Sequence, residues 1–432
     1  MGKIKKLWRK IKKVLRKTPL APLWRKLWKL PPMKKLKKYI AKKRKDHLLY
    51  KTLPRAYNAH RNEPVDEKKV IFIELRLPAI SNSFRVLYDE LEKNYNFDIH
   101  VHLLRNTFVS RDEYVKRCKN MLADVATAKY VFVNEASDVL SCIDKRPETI
   151  VTQLWHACGA FKKFGKSTAD LIFGPNAEQL ERHPNNRNYT YVTVSSPEIV
   201  WAYAEAMDLK GKEDIIRPVG TSRTDVFFRQ ETIDQAFEHL YEKFPAARGK
   251  KIILYAPTFR GRVAKAKTPK CFDLEKFYEA LHEDYVVITK HHPLVRKLPK
   301  IPAELRDSFA YDATKTMSIE DLLCVSDICI SDYSSLIFEY SLFERPMLFY
   351  AYDLDEYFDW RGFYYPYDEL TPGPVCTTNE EMIDYIQHID ERFDKQKVVD
   401  FRNKFMSACD GHATERIMDL VFGQEVLENN RK

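Results

Sequence analysis

Residues 325–350 read VSDICISDYSSLIFEYSLFERPMLFY. Residues 325–330 are a short apolar, β-branched run expected as a buried strand, and residues 336–343 carry apolar side chains at helical spacing. The junction Ser331-Asp332-Tyr333-Ser334-Ser335 is rich in residues that cap helix starts, where unpaired N–H groups face whatever lies beyond the strand end. An anion fits there. The hydroxyls of Ser334 and Ser335, with the positive end of a helix dipole behind them, make a cradle for a phosphate or diphosphate at the carboxyl edge of a parallel sheet. The same residues equally suit a capped crossover helix that binds nothing.

Outward from this stretch the chain repeats one alternation. Apolar strands are expected at 70–75 (VIFIEL), 97–103, 130–134, 150–155, 191–195 and 215–219, separated by helices at 82–95, 111–126 and 197–207. After a helix and polar hinge over 232–250 a second series begins: strands at 252–255 and 285–289, helices at 274–281 and 318–324, the opening strand and helix, a strand at 347–351, and helices near 379–391 and 413–422. Two Rossmann-like domains in tandem place a cleft between facing strand ends, where ligands bind in such sheets. The expected division is a basic amphipathic segment over 1–60, an acceptor-side domain over 67–230, a donor domain over 245–405, and a C-terminal helix and tail over 406–432.

The net charge of +11 is a property of one end. Residues 1–45 hold 20 Lys and Arg and no acid, leaving 52 basic against 61 acidic side chains in the remainder, a balance of −9. An acidic body argues against a nucleic-acid groove through the domains. In the basic segment, Leu7, Trp8, Ile11, Val14 and Leu15, then Leu20, Leu23, Trp24, Leu27 and Leu30, then Met33, Leu36, Tyr39 and Ile40 fall at helical spacing between prolines. No run approaches the roughly 20 apolar residues that span a bilayer. Trp-bearing apolar stripes with cationic faces suit helices lying in the headgroup plane of an anionic membrane. An RNA-binding tail is the alternative, but phosphate binding needs no apolar stripe. The eight cysteines stand singly, without zinc spacing, as thiols of a reducing cytoplasm would.

Several strand ends carry groups suited to chemistry. His156 follows a strand, and an imidazole there points into the cleft with a pKa suited to proton abstraction; a structural histidine is the other reading. In Lys290-His291-His292-Pro293, Lys290 and His292 can face a diphosphate, with Pro293 stiffening the turn. Arg223 in GTSRTD and Arg260 in APTFRG follow strands in the same way. Guanidinium forks bind phosphate oxygens in bidentate fashion, and either could instead form an ion pair between domains.

Taken in order, WHACGAFKKFG (155–165), GTSRTD (220–225), APTFRG (256–261), KHHP (290–293), the opening stretch, RGFYYPYDELTPGPV (361–375) and DGHATERI (410–417) resemble the CDP-glycerol glycerophosphotransferase family of teichoic-acid synthesis, over about residues 68–420. The resemblance implies an α/β protein of GT-B fold, two Rossmann-like domains facing a cleft with the donor held mainly by the second. It implies transfer of a polyol phosphate from a CDP-activated donor to a hydroxyl of a lipid-linked acceptor, releasing CMP, by a peripheral protein at the cytoplasmic face of the cell membrane. Glycerol phosphate is the first expectation for the transferred group and ribitol phosphate the alternative; a sugar-nucleotide glycosyltransferase of the same architecture is the rival. The family's W-H-G-like and H-P histidines map onto His156 and His292, although Ala-Cys-Gly follows His156 where many members have Gly-Thr. His156 would take the acceptor proton. His292, Arg223, Arg260, Lys290 and the Ser331, Ser334 and Ser335 region would steady the diphosphate, Glu339 would meet the donor ribose, and Asp332 would orient a His or a turn. No cofactor and no metal are inferred, since these cations and a helix terminus supply the positive charge; a Mg²⁺ dependence stays open.

Overall fold

The computed structural model describes residues 31–169, 171, 174, 176–261, 266–269 and 271–432. Among the described residues, twelve strands form two six-stranded sheets. The first contains β1 (Asp66–Glu74), β2 (Asp98–Leu103), β3 (Ala128–Val133), β4 (Ile150–Gln153), β5 (Tyr191–Thr193) and β6 (Ile216–Arg217), in the order β2-β1-β3-β4-β5-β6. The second contains β7 (Lys251–Tyr255), β8 (Tyr285–Thr289), β9 (Ala310–Asp312), β10 (Ile328–Ser331), β11 (Met347–Tyr350) and β12 (Val375–Cys376), in the order β12-β11-β10-β7-β8-β9. Every pairing is parallel. Strand order reverses beside β1 in one sheet and beside β7 in the other, and crevices open at such reversals.

The central strands are apolar without alternation because both faces are covered, whereas the edge strand β2, DIHVHL, alternates. Along β1, Val70 and Phe72 pack on one side with Phe84, Leu87 and Leu91 of the helix Asn82–Asn94, while Ile71 and Ile73 pack on the other with Met121, Leu122 and Val125 of Arg111–Val125. β9 and β12 are edge strands of three and two residues, too short for a periodic signal. The expected helix at 336–343 is one α-helical turn, Leu336–Tyr340, followed by a 3-10 turn, Ser341–Phe343.

Two segments belong elsewhere than their position in the chain suggests. The helix Ala413–Phe422 packs against the first sheet through Ile417, Met418, Val421 and Phe422, each burial contributing roughly 1.5–3 kcal/mol. The chain thus ends on the domain it began. Leu49, Leu53 and Tyr57 also enter the first domain's core, so residues 48–58 pack as part of that domain. The preceding helix, Pro31–His47, opens on two prolines and leaves Leu36 and Tyr39 exposed. It is tied to the body by Asp46 to Arg182, Lys42 to Glu178 and Lys45 to Asp138. The other apolar stripes of the basic segment, in residues 1–30, lie outside the described residues.

Loops from the carboxyl ends of the two sheets meet. Lys163 N donates to Gly362 O at 3.0 Å and Tyr364 N to Phe161 O at 3.1 Å, so the chain after β4 runs against the Arg361-Gly362-Phe363 stretch that follows β11. One core cluster joins Phe161 and Tyr203 of the first domain to Phe338, Phe401 and Phe405. Gly159 makes this approach possible: its φ is +61°, and a Cβ there would lie 2.3 Å from the Phe338 ring. Phe338 cannot yield, being stacked on Phe401 at 5.2 Å. Gly159→Ala should therefore cost about 1–3 kcal/mol of stability, measured by chemical denaturation, while Ala157→Gly on the same loop should cost less.

Candidate active site

His156 is held by three adjacent strand ends. Register aligns Ile73, Val133 and Gln153, the last or next-to-last residues of β1, β3 and β4. Leu154 N still bonds Val133 O at 2.8 Å, but Trp155 then turns into the left-handed region, φ +58°, with its N–H on Gln153 Oε1 at 2.9 Å. A bulky residue in that region is strained, and surrounding contacts must hold it. Trp155 stacks on Phe164 at 5.0 Å, and its turn brings the His156 ring beside the end of β3. There His156 Nδ1 lies 2.9 Å from Asn134 O. A carbonyl only accepts, so Nδ1 carries the hydrogen and Nε2 keeps a lone pair.

The ring is open to solvent, yet protein surrounds it closely enough to shift its titration. Burial lowers its pKa below the ordinary 6.5; the Asn134 bond opposes this, and the charges of Arg223 and Arg76 add to it. His156 is therefore a neutral base at pH 7.

His292 has the opposite tautomer. Leu294 N donates to its Nδ1 at 3.2 Å, so the neutral ring bears its hydrogen on Nε2 and presents a donor. The ring is exposed, beside Phe259 at 4.9 Å. Its neighbour His291 is buried with Nδ1 against Thr268 Oγ1 at 3.0 Å, and burial holds its pKa down.

The cations expected on the diphosphate are engaged within the protein. Lys290 Nζ donates to the carbonyls of Ala313 (3.3 Å), Thr314 (3.1 Å) and Met317, fixing the loop after β9. Arg260 lies between two carboxylates: Nη1 meets Asp332 Oδ2 at 2.9 Å, while Nε and Nη2 meet Asp353 at 2.5 and 2.9 Å. The rings of Tyr333 and Tyr357 lie against it, each 5.1 Å from the guanidinium carbon. Asp332 also accepts from Thr258 N and Oγ1 at 2.8 and 2.9 Å, and so orients the turn after β7. Arg223 reaches across to the other domain and pairs with Glu339 at 2.5 Å, both side chains buried. Glu339 is thereby turned to Arg223 and away from solvent, which leaves a ribose no direct approach to it.

The serines divide likewise. Ser331 is buried and donates to Ala256 O at 2.9 Å. Ser334 Oγ accepts from Leu336 N at 3.4 Å, and Ser335 occupies the N-cap position without a side-chain cap bond. Among the described residues no three His, Cys, Asp or Glu side chains converge as metal ligands.

Asn134, Glu74 and Arg76, which sequence reasoning did not single out, complete the surroundings of His156. Glu74 is buried and accepts from Asn134 Nδ2 at 3.2 Å and from Arg76 N at 3.4 Å. The signal was present in VIFIELR: a carboxylate closing an apolar strand and an arginine just beyond it, the placement that marked Arg223 and Arg260.

Two doubly wound parallel sheets with their carboxyl-end loops in contact are a GT-B-like architecture. The solved wall teichoic acid polymerase TagF shares it, with a TM-score of 0.71 at 22% identity over 91% of this chain and 96% of that one. A model of the family CDP-glycerol:poly(glycerophosphate) glycerophosphotransferase matches residues 55–423, and the chain belongs to that family. The teichoic acid ribitol-phosphate primase of Bacillus spizizenii is 36% identical over 365 residues, 83% of this chain and 92% of the relative. The teichoic acid glycerol-phosphate primase of the same species is 27% identical over 361 residues, 80% and 91% of the two chains.

Two outcomes are expected. If neutral His156 is the base, the rate falls only as pH drops through its lowered pKa, so the acid limb of a kcat/KM profile lies below 6.5. Arg223→Met alone leaves Glu339 buried without its partner and should cost about 3–5 kcal/mol. The double variant Arg223→Met with Glu339→Leu should recover most of that loss in urea unfolding.

Proposed function

We propose that this protein transfers a polyol phosphate from a CDP-activated donor to a hydroxyl of a lipid-linked acceptor, releasing CMP, in teichoic-acid synthesis. The observation that carries the reading is the pair of opposite tautomers, a base at His156 and a donor at His292, in a family member of this fold. The acceptor oxygen bonds to the phosphorus bearing the polyol. The bond from that phosphorus to the bridging oxygen breaks, and its electron pair leaves with CMP. The hydroxyl proton passes to His156 Nε2, while His292 is the expected hydrogen-bond donor to a diphosphate oxygen. Arg260, Lys290 and Arg223 act here by holding the loops that present these groups and by their fixed positive field. Ser334 and Ser335, beside the β7–β10 reversal, are the expected contacts for the donor's phosphates.

Ribitol phosphate stands ahead of glycerol phosphate as the transferred group; 36% identity to a ribitol-phosphate primase against 27% to a glycerol-phosphate primase supports that order. The basic segment is read as lying on an anionic membrane at the cytoplasmic face. Its charge and the exposed Leu36 and Tyr39 support this, and no helix among the described residues is long and apolar enough to cross a membrane.

Purified protein given CDP-ribitol or CDP-glycerol with a lipid-linked polyol-phosphate acceptor should release CMP, at a higher kcat/KM with CDP-ribitol. His156→Ala should lower turnover by about 10²–10⁴-fold. Indifference to both CDP-polyols alongside turnover of UDP-sugars would sink the reading.

A further inference from the structure

We infer that Arg76 forms an acceptor-side anion subsite, its guanidinium gripping a phosphodiester of the acceptor next to the hydroxyl that His156 deprotonates. This rests on the proposed polyol-phosphate transfer. Once one unit has been added, an acceptor carries a phosphodiester close to its terminal hydroxyl, so a cation beside the base meets an anion of fixed position.

Arg76 lies two residues beyond β1, at the reversal of strand order in the first sheet. Its Nε is 2.9 Å from Glu135 Oε2, and Glu135 adjoins Asn134, whose carbonyl holds His156. Guanidinium and imidazole are thus anchored on consecutive residues at the end of β3. The Arg76 loop is held from beneath: buried Glu74 accepts from Arg76 N and Leu77 N, at 3.4 and 3.5 Å. Exposure separates this arginine from the others. The Arg76 side chain is 63% exposed, against 15% for Arg223 and 19% for Arg260, which are each enclosed with carboxylates. With Nε directed at Glu135, the outer Nη groups remain for the bidentate contact that a phosphate offers. The Arg76 charge also reaches the His156 ring, where it disfavours the imidazolium.

The test compares wild type with Arg76→Gln and Arg76→Lys in the full chain. Calorimetric titration with a soluble glycerol-phosphate oligomer should show at least tenfold weaker binding for Arg76→Gln, partly restored in Arg76→Lys, with CDP-polyol affinity within twofold of wild type. In turnover, Arg76→Gln should raise the acceptor KM far more than it lowers kcat. It should also move the acid limb of the pH profile upward, since a positive charge near His156 has gone. With a phosphate-free polyol as acceptor, at a pH above both acid limbs, Arg76→Gln should lose far less kcat/KM than it loses with the oligomer. Unchanged oligomer binding in Arg76→Gln, no oligomer binding by wild type, or equal loss on the phosphate-free acceptor would overturn the subsite. Wild type that binds the oligomer through Arg76 yet turns over neither CDP-polyol would overturn the functional reading and leave the subsite standing.

Discussion

A guanidinium from one sheet and a carboxylate from the other meet inside the protein: Arg223, after β6, and Glu339, after β10, at 2.5 Å. Removing both from water costs several kcal/mol each, and only their mutual attraction at close range offsets it. The pair tolerates little displacement, so it ties the loop after β6 to the turn that follows Ser334 and Ser335. The thiol of Cys158, two residues from His156, is buried close to Arg223 and Cys409. The loop that carries His156 also meets the second domain directly, Gly159 against the Phe338 ring and Lys163 N on Gly362 O.

Around that clamp the histidines acquire different characters from the backbone groups beside them. Asn134 offers His156 a carbonyl and Leu294 offers His292 an N–H, so one imidazole can receive a proton where the other can donate a hydrogen bond. Neither assignment needs a charged partner. The cations nearby are fixed by carboxylates or carbonyls, which suits electrostatic stabilisation, because dipoles and charges already in place need no reorganisation as charge develops.

Much of this was legible in the chain. Apolar runs at 150–155, 285–289 and 325–330 marked strands, which end in the structure at Gln153, Thr289 and Ser331, and titratable residues just beyond them marked the functional edge. Partners were not legible, because they depend on distant residues. Arg260 meets Asp332 and Asp353 far along the chain, and Lys290 turns to three carbonyls that carry no sequence signature. The strain at Trp155 likewise leaves no trace, since nothing about a tryptophan announces a positive φ. Periodicity showed that residues 413–422 have an apolar face but not that the first sheet, formed far earlier in the chain, covers it. Arg76 was passed over for a different reason: its strand end lacks the histidine, glycine or serine that drew attention elsewhere.

Proton transfer by this route depends on His156 being a neutral imidazole with its hydrogen on Nδ1 and its lone pair on Nε2. Nitrogen-15 NMR of histidine-labelled protein, with His156→Gln to assign the signal, reads this directly. The expected spectrum shows a protonated-type Nδ1, a pyridine-type Nε2 and a titration midpoint below 6.5. A pyridine-type Nδ1, or a midpoint above 6.5, would contradict it.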